Sequence, residues 1–68
     1  MTFDIITGDV LKTTRDAVLV RCRDTSDDFG FPLEIWIPRS VLDDGENVDL
    51  DDTDFMIAEW FCNEKGLR

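Results

Sequence analysis

Residues 43–54 read Asp-Asp-Gly-Glu-Asn-Val-Asp-Leu-Asp-Asp-Thr-Asp; seven of the twelve are carboxylates and none is basic. Asp43, Asp44, Glu46, Asp49, Asp51, Asp52 and Asp54 are therefore the side chains with chemistry to offer. Carboxylates at this density can remain a solvated face, hold a divalent cation, work as an acid–base pair, or present a polyanion to a basic partner. The cation reading fails on register. A helix–loop–helix calcium loop needs an Asp-x-Asp-x-Asp-Gly core and a Glu at its twelfth position, whereas here Gly45 is third and Asp54 twelfth. An acid–base pair needs one carboxyl with a raised pKa in a sheltered cleft, which 68 residues can hardly enclose.

Other reactive types are no better placed. The chain has no His, so Ser40 and Cys22 lack the usual activating base. Gly8, Gly30, Gly45 and Gly66 form no phosphate-binding pattern. Cys22 and Cys62 stand forty positions apart, outside any metal spacing, and read as small buried hydrophobes. No catalytic residue, metal ligand or cofactor is expected.

The polyanion reading has a geometric basis. A strand advances ~3.3 Å per residue, and a nucleic-acid strand ~3.4 Å per phosphate. With a strand over residues 48–57, Asp49 and Asp51 would form a row matching Lys and Arg built to hold phosphates. Asp52 and Asp54 would stand behind them, and Asp43, Asp44 and Glu46 would lengthen the row. Charge distribution points the same way. Residues 1–42 hold seven acids and five bases, residues 43–68 nine acids and two bases, and the chain totals −9. That balance argues against direct contact with nucleic acid or an anionic membrane. It favours a basic protein partner, reached by electrostatic steering.

The elements that must position these residues follow from the apolar pattern. A chain of 68 residues makes one domain, residues 1–68, with five Phe and two Trp to anchor a small core. Residues 3–7 read as a strand, Gly8-Asp9 as a bend or bulge, 10–14 as its continuation and Arg15-Asp16 as a turn. Ala17–Arg23 is a strand with Val18, Val20 and Cys22 on one face. Residues 24–30 are turn-rich. Leu33–Ile37 pairs back as a long-looped hairpin, with Glu34 and Trp36 facing away from the core. Pro38 ends that ladder, having no N–H, and Ser40 is expected to cap a short helical turn through Leu42. A helix over 53–65 is one reading of the last third. The preferred one is a strand over 48–57 followed by a helix over 58–65, closed by Gly66. The expected core is Ile5, Val18, Val20, Leu33, Ile35, Ile37, Ile57 and Trp60 or Phe61.

Lys12-Thr13-Thr14 with Ala17-Val18-Leu19-Val20, then Trp36-Ile37-Pro38-Arg39-Ser40, then Trp60-Phe61-Cys62-Asn63-Glu64-Lys65-Gly66-Leu67 resemble stretches of a group of short, uncharacterised phage and prophage proteins. Those carry an Ala-x-Leu-Val-type strand, a Trp-Ile-Pro-Lys-Ser-like stretch and a terminal helix ending Lys-Gly-Leu. Arg39 stands where Lys is usual, Cys62 stands where Ala is usual, and the acidic run is heavier than in the group. The resemblance implies a small phage-type β-domain with a C-terminal helix, and it carries over no catalytic residue. By size and charge alone, the chain is also similar to small acidic inhibitors of the anti-CRISPR type.

The resulting expectations are an α+β fold, mostly β: a small, curled antiparallel sheet of about four strands with one short C-terminal helix. No signal peptide or membrane-spanning run is read in the sequence, so the expected location is the cytoplasm of a bacterial host. The expected function is non-enzymatic. The acidic face would occupy a basic, nucleic-acid-binding surface of a host protein, antagonising host defence or a host enzyme. The alternative is a structural or accessory module of a phage replication or recombination cluster that binds through exposed aromatics, with Trp36 the candidate contact. Exposed strand edges leave room for a homodimer.

Overall fold

Arg21, Arg23 and Glu34 fix which face of residues 17–37 turns inward, and there the structure forms a hairpin of two antiparallel strands. The computed structural model describes residues 2–67. Strands β1 (Phe3–Thr13), β2 (Ala17–Ser26), β3 (Pro32–Pro38) and β4 (Asp54–Ala58) make one open antiparallel sheet in the order β3-β2-β1-β4. Helix α1 (Glu59–Lys65) follows β4 directly. The expected class and architecture are those observed.

β1 serves two partners. Its Phe3–Thr7 half pairs with β4 and its Gly8–Thr13 half with β2. Gly8 marks the handover. A Cβ there would lie 2.5 Å from the Arg21 carbonyl oxygen and 2.9 Å from Val20 Cγ1, so the close approach needs glycine. The bulge comes later than the sequence suggested: Leu11 is the extra residue between the pairs Val10–Val20 and Lys12–Leu19. Such an insertion bends its strand and increases the local twist.

One face of the sheet carries the core. Ile6, Val10, Val18, Val20, Cys22, Ile37, Phe55 and Ile57 are buried under Val41, Leu42, Phe61, Cys62 and Leu67. Each large apolar side chain so buried contributes roughly 1.5–3 kcal/mol. One expected core member needs correction. Ile5 is 70% exposed and Ile6 takes its place, because the inward parity of β1 is set by Gly8 and Val10. Of the expected pair Trp60 or Phe61, Phe61 enters the core and Trp60 is 53% exposed. Leu33 and Ile35 are half-buried against the core, since β3 is an edge strand.

The connections also depart from expectation in places. Pro38 ends β3 as predicted, but Ser40 lies inside a 3₁₀ turn (Arg39–Val41) that has no side-chain cap. The strand expected over 48–57 is confined to Asp54–Ala58, and residues 48–53 are loop. The helix ends as predicted. Gly66 takes a left-handed conformation (φ 69°), and the Leu67 N–H donates to Cys62 O at 2.9 Å, a Schellman closure that returns Leu67 to the core. Among the described residues no helix is long and apolar enough to cross a membrane.

Candidate acidic interface

The chain leaves β3 and reaches the outer edge of β4, where Leu42 bridges Ile57 and the Asp43 N–H donates to Met56 O at 2.8 Å. Asp44 adopts φ 55°, a left-handed conformation that Asp tolerates better than most residues. It opens a second 3₁₀ turn, Gly45–Asn47. Gly45 is buried against the first turn; a Cβ there would lie 2.1 Å from the Arg39 carbonyl oxygen, so no other residue fits.

Arg39 holds this segment. Its Nη1 donates to Gly45 O at 2.7 Å and Val48 O at 2.9 Å, and its Nε donates to Thr14 O at 3.0 Å. One guanidinium thus ties the acidic loop to the β1–β2 turn through three carbonyls, using the fork that Lys lacks. Sequence reasoning missed this role. The signal was present, for Arg39 is the one base between residues 24 and 64.

The seven carboxylates divide into two groups. Asp44 accepts from Asn47 Nδ2 at 2.7 Å, and Asp54 accepts from Thr7 Oγ1 at 3.1 Å. Asp52 Oδ2 accepts from the Asp49 N–H at 2.8 Å, while Asp49 Oδ1 accepts from the Leu50 N–H at 2.7 Å. Those bonds, with Asp52 N–H to Asp49 O at 3.0 Å, close a turn. The carboxylates of Asp43, Glu46 and Asp51 make no hydrogen bond or ion pair among the described residues, and all three residues are exposed. Residues 48–53 are therefore not the regular row expected of a strand. They form a folded loop in which some acids hold the backbone and others face water.

Among the described residues no base forms an ion pair with a carboxylate of the loop, and Arg39 bonds its backbone carbonyls instead. The two ion pairs among the described residues are Arg23–Asp9 at 2.6 Å and Arg21–Glu34 at 3.8 Å, both on the opposite, open face of the sheet. The Arg23 hydrogen bond holds the Asp9 carboxyl below its ordinary value, and Asp9 in turn raises Arg23. No three His, Cys, Asp or Glu side chains converge as a metal site among the described residues. Between the loop and β4 lies a recess of about 210 Å³, with Leu42, Val48, Phe55 and Met56 as its apolar lining and Asp43, Asp44, Asp52 and Asp54 around it.

Trp36, the second candidate, lies elsewhere. It is 47% exposed on the open face, paired with Leu19, and Ile5 and Met56 are exposed on the same face. The structure does not bring Trp36 together with the acidic loop. The chain matches no family model, no curated protein and no solved structure.

Proposed function

We propose that the protein is a non-enzymatic inhibitor whose acidic loop occupies a basic, nucleic-acid-binding surface of a host protein, as a phage-type antagonist of host defence or of a host enzyme. One observation carries the reading. The loop backbone is clamped by Arg39, yet Asp43, Glu46 and Asp51 remain exposed, with no ion pair among the described residues. A restrained loop loses less freedom on binding. Free carboxylates steer a cationic surface toward it, and salt screens that attraction. Mimicry here rests on charge density and restraint, not on phosphate-like spacing along a strand.

The test uses immobilised protein in a bacterial lysate at low and high salt. Capture of basic proteins that DNA displaces and salt releases is the expected result. The variant Asp43→Lys/Glu46→Lys/Asp51→Lys should lose that capture and keep its fold, because none of the three holds the loop together. Unchanged capture by this variant sinks the proposal.

A second reading is favoured by the open sheet face: an accessory module of a phage replication or recombination cluster that binds through Trp36. It predicts capture that salt leaves unaffected and that Trp36→Ala removes.

A further inference from the structure

The two edges of the sheet are finished differently. The outer edge of β4 is occupied by Leu42 and Asp43. The outer edge of β3 has no neighbour among the described strands. Antiparallel pairs alternate between residues that exchange N–H···O bonds and residues that do not. The Arg39 N–H donates to Asp16 O at 2.9 Å. Continuing that alternation along the register makes Val18–Ile37 and Val20–Ile35 the bonded pairs. Ile35 and Ile37 therefore direct their backbone groups at β2, and Glu34 and Trp36 direct theirs outward. The β1–β2 ladder agrees. The Gly8 N–H is turned to Thr53 on the β4 side, which leaves Asp9–Arg21 as a bonded pair and turns Val20 toward β3.

We propose that the β3 edge is a homodimer interface, in which two copies pair antiparallel about a two-fold axis at Ile35 and continue the sheet from one subunit into the other. In that register Glu34 exchanges both backbone bonds with the partner's Trp36, and Trp36 does so with the partner's Glu34. All four outward N–H groups and their carbonyls are matched. Pro32 falls opposite the partner's Pro38, so the positions that lack an N–H face each other and no donor is buried without an acceptor. An axis at Glu34 would instead set Glu34 against the partner's Glu34, which is unfavourable.

Side chains agree with this register. On the core side, Ile35 meets the partner's Ile35, and Leu33 stands opposite the partner's Ile37, which its own subunit already buries. Leu33 and Ile35 are the partly buried residues at the open margin of the core, and the second copy completes their burial. The turn before β3 bears Phe29 and Phe31, 85% and 68% exposed, which reach the 3₁₀ turn that follows the partner's Pro38. The acidic stretch begins close to this contact, since Asp44 and Glu46 share a recess with Pro38 and Arg39, and from Val48 onward it runs to the β4 side, where the Thr53 carbonyl accepts from Gly8 on β1. This inference does not depend on the acidic-loop reading, and the two respond to salt in opposite directions. Two chains of charge −9 repel, so screening strengthens the dimer.

Sedimentation of the purified protein over a concentration series, at low and high salt, reads the mass. The expected result is a shift from 7.8 kDa toward twice that mass, at lower concentration in high salt. Amide hydrogen exchange over the same series should slow at Glu34 and Trp36 in proportion to the dimer fraction. Ile35 and Ile37 should be protected at every concentration. Glu34→Pro removes one outward N–H at a position where the β2 ladder uses none, and should yield a folded monomer. Three results would overturn the proposal: a monomer up to the solubility limit, a dimer whose Glu34 and Trp36 amides exchange freely, or a folded Glu34→Pro dimer. If Glu34→Pro fails to fold, the exchange measurement on the unaltered chain decides.

Discussion

Arg39→Met is the sharpest test of how the acidic loop is built. The substitution keeps most of the apolar stem and removes the fork that donates to Gly45 O, Val48 O and Thr14 O. A hydrogen bond to a charged group contributes about 1.5–3 kcal/mol. The Thr14 bond is exposed, and Arg39 itself is half-buried, so water replaces part of what is lost. Counting mainly the two part-buried bonds, and discounting them for that access, gives a loss of about 2–4 kcal/mol. A domain of this size has a total stability of roughly 3–10 kcal/mol. The change is therefore a large fraction of the whole, and the Tm should fall by about 10 °C or more. Urea and thermal unfolding followed by circular dichroism measure it. Exchange at the Asn47, Val48 and Asp52 amides then separates loop opening from global loss. Arg39→Lys should recover part of the effect, because one ammonium can serve Gly45 O and Val48 O, as Nη1 does alone, but leaves Thr14 O without its donor. A loss under about 0.5 kcal/mol, with the loop amides unchanged, would refute the clamp.

Gly45→Ala should destabilise more than any surface change, because its Cβ would enter the Arg39 carbonyl at 2.1 Å; chemical denaturation checks it, and a neutral outcome would mean that the two 3₁₀ turns do not touch. Gly8→Ala should likewise weaken the β1–β2 ladder through contact with Arg21 O, read as faster exchange at the amides of the bonded pair Asp9 and Arg21. Burial, and then the neighbouring Cys62, raise the Cys22 thiol above its ordinary value of 9.0. The unfolded chain then releases that proton first, so stability should be flat below about pH 9 and fall as pH rises above it. A pH series of unfolding midpoints tests this, and Cys22→Ala should flatten the alkaline limb.

The hairpin of β2 and β3 was legible because Arg21, Arg23 and Glu34 fix the outward parity and so turn Val18, Val20, Cys22, Ile35 and Ile37 inward, although Ala17–Val20 and Ile35–Ile37 are apolar runs. β1 was not, since Ile5 and Ile6 are both apolar and alternation alone cannot choose between them. The choice is made by Gly8 and Val10, and by the crowding that permits only glycine beneath Arg21. Trp60 and Phe61 posed the same problem on a helix of seven residues. Phe61 lies inside with Cys62, and Trp60 rests edge-on against it at 5.8 Å between ring centroids. The aspartates of the loop are poor helix formers. They are equally poor strand formers, and their carboxylates cap nearby N–H groups more readily than they line up on a pleat.

That local capping changes what the acidic stretch can be. A strand would have spent its backbone bonds on a neighbour and left every carboxylate for a partner. Among the described residues the loop has no such neighbour from Asp49 to Asp52, so its own aspartates supply the acceptors there, and Arg39 supplies the donors to Gly45 O and Val48 O. Asp49 and Asp52 are thereby bound to the fold, and reversing their charge would confound recognition with collapse of the turn. Asp43, Glu46 and Asp51 carry no such duty. Stability and partner binding should therefore separate along this division: Asp52→Asn should weaken the loop and leave the salt dependence of binding almost unchanged, whereas Asp51→Lys should do the reverse. Paired measurements of unfolding and of salt-dependent capture on these two variants decide the matter. If both variants lose stability and binding together, the division of labour among the carboxylates is wrong.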